Sequence, residues 1–253
     1  MELRPGLLWG SERVFLTADW RFLAMLNYEV SPAVLLPRVP FGTELDLWQG
    51  KAFVSLVGFL FLDARLLGFP IPFHRNFEEV NLRYYVRRRE NSVVKRGVAF
   101  IREIVPKWAL ATVARVAYNE NYHCHPMAHR IQRDNVAGDA RLLVEYSWRL
   151  GSRGYRIAVK AAGEPYEIAD GSTEEFIAEH YWAYCATGRN RSLEYHVTHP
   201  RWRVWKLVEA GFQGDVEALY GREFAGALSA PPASAFLAEG SAVSVYGGKK
   251  LAA

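Results

Sequence analysis

The chain has 253 residues, half of them apolar, 14% aromatic and 23% charged, with a formal net charge of +4. Its 8 Trp, 13 Tyr and 14 Phe exclude a disordered chain, which is poor in aromatics. Two cysteines, Cys124 and Cys185, are too few for a disulfide scaffold or a Cys-based zinc site.

The first residues, Met1-Glu2-Leu3-Arg4-Pro5-Gly6, carry no basic region leading into a long apolar stretch, so no signal peptide is expected. The longest apolar run, Ala52 to Leu62, falls short of the roughly 20 apolar residues a membrane-spanning helix needs. The expectation is a cytoplasmic protein with no membrane partner.

Ser31-Pro32 opens a short helix, with Ser as cap and Pro at the first helical position. Strands are predicted over Lys51–Asp63, Phe77–Arg89 and Val93–Val105, each rich in Val, Leu, Tyr and Phe and bounded by Gly or Asn turns. Lys107–Tyr118 reads as a helix, with Leu110, Val113, Ala114 and Ala117 on one apolar face. Strands follow over Arg141–Leu150, Tyr155–Lys160, Leu193–Thr198 and Val204–Phe212. A helix start is expected at Ser172-Thr173-Glu174-Glu175, and a late helix over Asp215–Leu228 ahead of Pro231-Pro232.

No composition break or repeat divides the chain, which predicts one domain over residues 1–253 with its core at about 13–251. Successive strands with few helices predict an α+β, mostly β fold: one large antiparallel sheet, closed into a barrel or folded on itself, with peripheral helices. A barrel of this size can hold a ligand cavity. No Gly-rich phosphate loop, nucleophile elbow, C-x-x-C or H-E-x-x-H motif occurs.

Three segments could carry chemistry. In Phe77–Val86, alternation places Val80, Leu82, Tyr84 and Val86 on one face and Glu79, Asn81, Arg83 and Tyr85 on the other. The second face is either solvated or a cavity lining, in which Arg83 holds an anionic group and Glu79 handles a proton. In Tyr118–His129, the imidazoles of His123, His125 and His129 share a strand parity and could converge with Glu120 on a divalent ion. The plainer reading is hydrogen bonding within a loop. From Arg83 to Arg115, nine basic and two acidic residues leave +7, but Arg87-Arg88-Arg89 runs into a hairpin turn, so solubilising that turn is favoured over binding nucleic acid. Strand parity sets Cys124 opposite its flanking histidines, which weakens a thiolate nucleophile.

Several blocks resemble the YqjF-like family of uncharacterised bacterial proteins, a domain of unknown function. They are Asp19-Trp20-Arg21 with Leu26-Asn27-Tyr28, Leu36-Pro37 with Pro40-Phe41-Gly42-Thr43, Ala52 to Val57, Phe77 to Val86, Gly97 to Phe100, and Phe236 to Val243. That family is in turn similar to acetoacetate decarboxylases. The resemblance implies a β-barrel or cone of that superfamily around a central cavity, with Glu79 matching a strand-borne cavity glutamate. It also implies a Schiff-base lysine beside a second lysine, yet the matching segment, Tyr122-His123-Cys124-His125-Pro126-Met127, has none. The only Pro-Lys, Pro106-Lys107, is followed by Trp108.

The sequence therefore predicts a protein that binds a small anionic or carbonyl-containing molecule in a central barrel cavity, lyase-like but lacking the paired Schiff-base lysines. Glu79, His123 and His125 are the acid/base candidates, and Asn81, Arg83, Tyr85, Tyr122 and Glu120 the ligand-binding ones. The alternatives are a non-enzymatic sensor or carrier, and a metal enzyme using His123, His125 and His129. No cofactor is indicated, and a homo-oligomer is compatible with the chain.

Overall fold

The computed structural model describes residues 13–70, 74–106, 121–136 and 139–253. The predicted helix over Lys107–Tyr118 and the candidate Glu120 lie outside these residues. In chain order, a long strand β1 (Val14–Val30) leads into a short helix α1 (Pro32–Leu35) and a 3-10 turn (Leu36–Arg38). Ser31 precedes that helix as expected, but its side chain makes no capping bond. Then come β2 (Glu44–Leu45), β3 (Ala52–Leu66), β4 (Phe69–Pro70), β5 (Phe77–Glu90) and β6 (Val93–Val105). The middle of the chain is β7 (Tyr122–Cys124), β8 (Met127–Val136), β9 (Asp139–Leu150), β10 (Arg153–Ala162) and β11 (Tyr166–Glu167).

Helix α2 (Thr173–Ala178) starts where the sequence predicts, and there Ser172 Oγ accepts the Glu175 N–H at 3.1 Å as its cap. Strands β12 (Trp182–Gly188), β13 (Arg191–Thr198) and β14 (Arg203–Gln213) follow. The late helix forms as two, α3 (Val216–Tyr220) and α4 (Arg222–Leu228). The break is Gly221, whose φ of 100° no helix accommodates. The chain ends with β15 (Ser234–Tyr246) and β16 (Lys249–Ala252).

The fold is mostly β, and its strands join in the order β16-β13-β12-β6-β5-β3-β1-β15-β14-β10-β9-β8. Neighbours along this path are antiparallel except β6 and β12, which run parallel through Trp182↔Gly97 and Ala183↔Val98. Strand β13 also pairs with β15 through Val197↔Val245 and Thr198↔Ser244, so the path from β15 through β1, β3, β5, β6 and β12 returns to its start.

Strands β1, β3 and β5 are buried on both faces. One face carries Leu26, Leu56, Leu82 and Tyr84 and packs against β9, β10, α3 and α4 through Tyr146, Ile157, Leu219 and Phe224. The other carries Met25, Val57, Phe59 and Tyr85 and meets Phe176 and Ile177 of α2 and Phe236 of β15. Gly58 allows the first contact, because a Cβ there would sit 2.6 Å from Tyr146 Cδ2. Tyr146 uses that space to reach over β3 and donate its hydroxyl to Phe22 O at 2.8 Å.

Burial on both faces also explains why alternation does not reveal β1. From Leu23 to Tyr28 every residue is buried, so the polar-apolar rhythm of a half-exposed strand is lost. No helix among the described residues is long and apolar enough to cross a membrane.

Candidate functional site

The second of these two faces lines a cavity of about 140 Å³. Strand register builds its polar wall. Val57 on β3, Asn81 on β5, Glu103 on β6 and Tyr122 on β7 are successive cross-strand partners and stand in one row. Glu79 and Arg83 flank Asn81 on the same face of β5, and Phe59 lies beside Glu79. Glu79, Asn81, Arg83, Glu103 and Tyr122 all line the cavity.

Glu79 is buried and doubly bonded: Asn81 Nδ2 donates to its Oε1 at 3.0 Å and the Tyr122 hydroxyl to its Oε2 at 3.0 Å. Burial pushes its carboxyl up to about 7, against the pull of those two donors and of the nearby Arg83 charge. A carboxyl balanced there can give or take a proton at neutral pH. Arg83 Nη2 donates to Ile177 O at 3.3 Å, and its guanidinium carbon stands 5.8 Å from the Tyr85 ring centre. Arg83 Nε and Asn81 Oδ1 are buried without a hydrogen-bond partner. Such groups normally find one, because an unmet buried polar atom costs about 1–3 kcal/mol.

Two histidines that sequence reasoning missed also line the cavity. His180, just past α2, packs between Tyr85 and Phe176 with ring-centre distances of 4.7 and 5.5 Å. Its Nε2 lies 3.6 Å from Oδ2 of the buried Asp46, which Arg96 Nε also reaches at 2.7 Å. Burial holds the His180 imidazole down at about 4 although Asp46 opposes this. Burial pushes Asp46 up, but His180 and Arg96 outweigh it and keep its carboxyl below the ordinary range.

His199, past β13, bonds Pro200 O through Nδ1 at 2.9 Å, and burial likewise lowers it to about 4. At neutral pH that contact makes Nδ1 the donor and leaves Nε2 an acceptor. No local motif marks either histidine. Asp46 and His180 meet only because β2 and the end of α2 both pack beside β5.

The remaining sequence candidates are placed elsewhere. Tyr85 shares the Glu79 face, but it packs beneath the cavity, its hydroxyl 2.5 Å from Ser55 Oγ. Strand β7 runs parallel to β6 and turns Tyr122 inward, so alternation sends His123 outward to Asn121 Oδ1 at 2.9 Å. The rings of His123 and His125 lie parallel, 6.2 Å apart, and neither lines the cavity. His129 on β8 bonds Glu78 Oε1 at 2.6 Å. Among the described residues no group of three or more His, Cys, Asp or Glu is arranged to hold a metal ion.

Within the basic run, several side chains meet carboxylates. Arg87 bonds Glu44 at 2.8 Å, Arg88 and Lys95 share Glu90 and Glu194, and Arg96 bonds Asp46. Lys95 Nζ stands 4.0 Å above the Trp182 ring, and Trp182 is the residue that faces the cavity.

The YqjF protein of Bacillus subtilis (strain 168) is 25% identical over 184 residues, 72% of each chain. Among solved structures, an acetoacetate decarboxylase from Legionella pneumophila is similar, with a TM-score of 0.66 at 12% identity over 98% of this chain and 92% of that one. An acetoacetate decarboxylase-like enzyme from Sphingomonas wittichii RW1 gives 0.65 at 12% identity over 98% of both chains. The enduracididine biosynthesis enzyme MppR, complexed with pyruvate, gives 0.65 at 12% identity over 97% of this chain and 92% of that one. At these identities the likeness establishes a shared fold and leaves the chemistry to the residues. The DUF2071 model, described as an uncharacterized conserved protein, matches residues 17–242, and the chain belongs to that family.

Proposed function

We propose that the ring of strands acts as a barrel whose cavity binds a small anionic or carbonyl-containing molecule, with Arg83 holding the anionic head and Glu79 exchanging a proton beside it. The observation that carries this is one juxtaposition. An Arg83 guanidinium with an unmet Nε and a Glu79 carboxyl balanced near neutral belong to side chains that line the same largely apolar cavity. With a keto acid bound, the Glu79 carboxylate would take a proton from the carbon next to the carbonyl. Arg83 would stabilise the enolate oxygen that forms. The Schiff-base chemistry that the resemblance implies is not part of this reading, since no lysine among the described residues lines the cavity and Lys95 stands behind Trp182.

One experiment reads both parts. Pyruvate and 2-oxobutyrate are mixed with the protein in deuterated buffer; saturation-transfer NMR reports binding, and loss of the C3 proton signal reports exchange. Arg83→Met should weaken binding about tenfold or more, the value of a charge-assisted hydrogen bond. Glu79→Gln should abolish exchange while binding persists. Binding that ignores Arg83→Met would overturn the reading. Arg83-dependent binding without exchange in the wild type would favour a sensor or carrier.

A further inference from the structure

We infer that the molecule held in this cavity carries a single aromatic ring behind its carboxylate or keto-acid head; this rests on the reading above that Arg83 holds the head. The first argument is size. The cavity measures about 140 Å³, and a 150 Å³ apolar cavity in another protein accommodates one benzene ring. A three- or four-carbon keto acid would leave much of this wall untouched.

The second argument is the chemistry of the wall. Trp20 meets Phe59 edge-on at 5.3 Å and 67°, and Phe61 at 5.7 Å and 73°. Trp202 lies 6.5 Å from Trp20 and is stacked by His199 at 4.1 Å. These rings line the cavity together with Leu and Val side chains, and the quadrupole of a further ring is attracted to the edge or face of an aromatic neighbour.

The third argument is polar. Trp20 Nε1 is buried in this wall with no hydrogen-bond partner, although a buried indole N–H usually has one. With Arg83 Nε, the cavity-lining residues thus hold one unmet donor on the charged side and one on the ring-lined side. A molecule with an acceptor-bearing head and an aromatic π-face toward Trp20 Nε1 matches those two donors.

The test compares benzoylformate, cyclohexylglyoxylate and pyruvate, which share a 2-oxo acid head and differ in the body. Affinities are read by ligand-observed NMR and by quenching of tryptophan fluorescence. Benzoylformate should bind at least tenfold tighter than pyruvate and about threefold tighter than cyclohexylglyoxylate. Phe59→Leu should cut the benzoylformate preference over pyruvate to less than threefold. If that variant does not fold, the three affinities of the unaltered chain decide alone.

Equal affinity for benzoylformate and pyruvate, both lost in Arg83→Met, would overturn the ring inference and leave the head-group reading standing. Equal affinity for the aromatic and saturated rings would overturn its aromatic part. Failure of all three acids to bind, or binding indifferent to Arg83→Met, would overturn the head-group reading itself.

Discussion

Glu79→Gln should make the protein more stable at high pH and alter it little at low pH. Gln keeps the shape, accepts from Asn81 through its carbonyl oxygen and donates to the Tyr122 hydroxyl, but it cannot ionise. The Glu79 carboxyl is raised from 4.5 to about 7 by burial. In the unfolded chain it ionises near 4.5, so between those values the folded state binds more protons than the unfolded one. Stability from this group is therefore full below about 4.5 and is lost as pH rises through about 7. At about 1.4 kcal/mol per pH unit, the loss amounts to roughly 3 kcal/mol.

His180 and His199 act in the opposite direction. Burial lowers each from 6.5 to about 4, so their contribution is present above 6.5 and is lost as pH falls through about 4. Both proteins share that slope, and it cancels in the difference between them. Urea unfolding of the two chains from pH 4.5 to 8.5 measures that difference. It should grow with pH by roughly 3 kcal/mol in favour of the Gln variant. A difference that stays flat across this range would refute the claim that burial raises the Glu79 carboxyl to about 7.

Other outcomes follow from named contacts. His180→Gln should remove part of the acid sensitivity: the unaltered protein loses stability between pH 6.5 and about 4, and the variant should lose roughly 3 kcal/mol less over that range by urea unfolding. Lys95→Met should cost about 3 kcal/mol in the same assay, because it strips the 2.8 Å partner from the buried Glu194. The figure sits at the low end of the range for such losses because Arg88 remains 3.2 Å from Glu194. Gly97→Ala should lower the melting midpoint by roughly 5–10 °C, since its Cβ would lie 2.7 Å from the Trp182 carbonyl oxygen where β6 and β12 join. Gly154→Ala, with nothing within 4 Å, is the control and should shift it far less.

Strand alternation is a local property, so the sequence by itself determined much of β5. It set Val80, Leu82, Tyr84 and Val86 on one face, and Glu79, Asn81 and Arg83 on the other. It also located the start of α2 at Ser172–Glu175 and the helical region from Asp215 to Leu228, though not the break at Gly221. The resemblance to YqjF-like proteins supplied the family. Parity could not say which face of β7 points inward. The parallel pairing of β7 with β6 selected Tyr122 and turned His123 away. Nor could it find β1, whose burial on both faces removes the alternation, or the meeting of His180 with Asp46.

The chain is rich in aromatics and carries 24 Arg to 7 Lys. Trp20, Phe59, Phe61 and Trp202 wall a cavity, and Arg83 stands in its polar side. Composition could supply those side chains. Only the long-range pairing of β1, β3, β5 and β6 could bring them around one space, because a cavity belongs to the packing of strands far apart in sequence and to no segment of it.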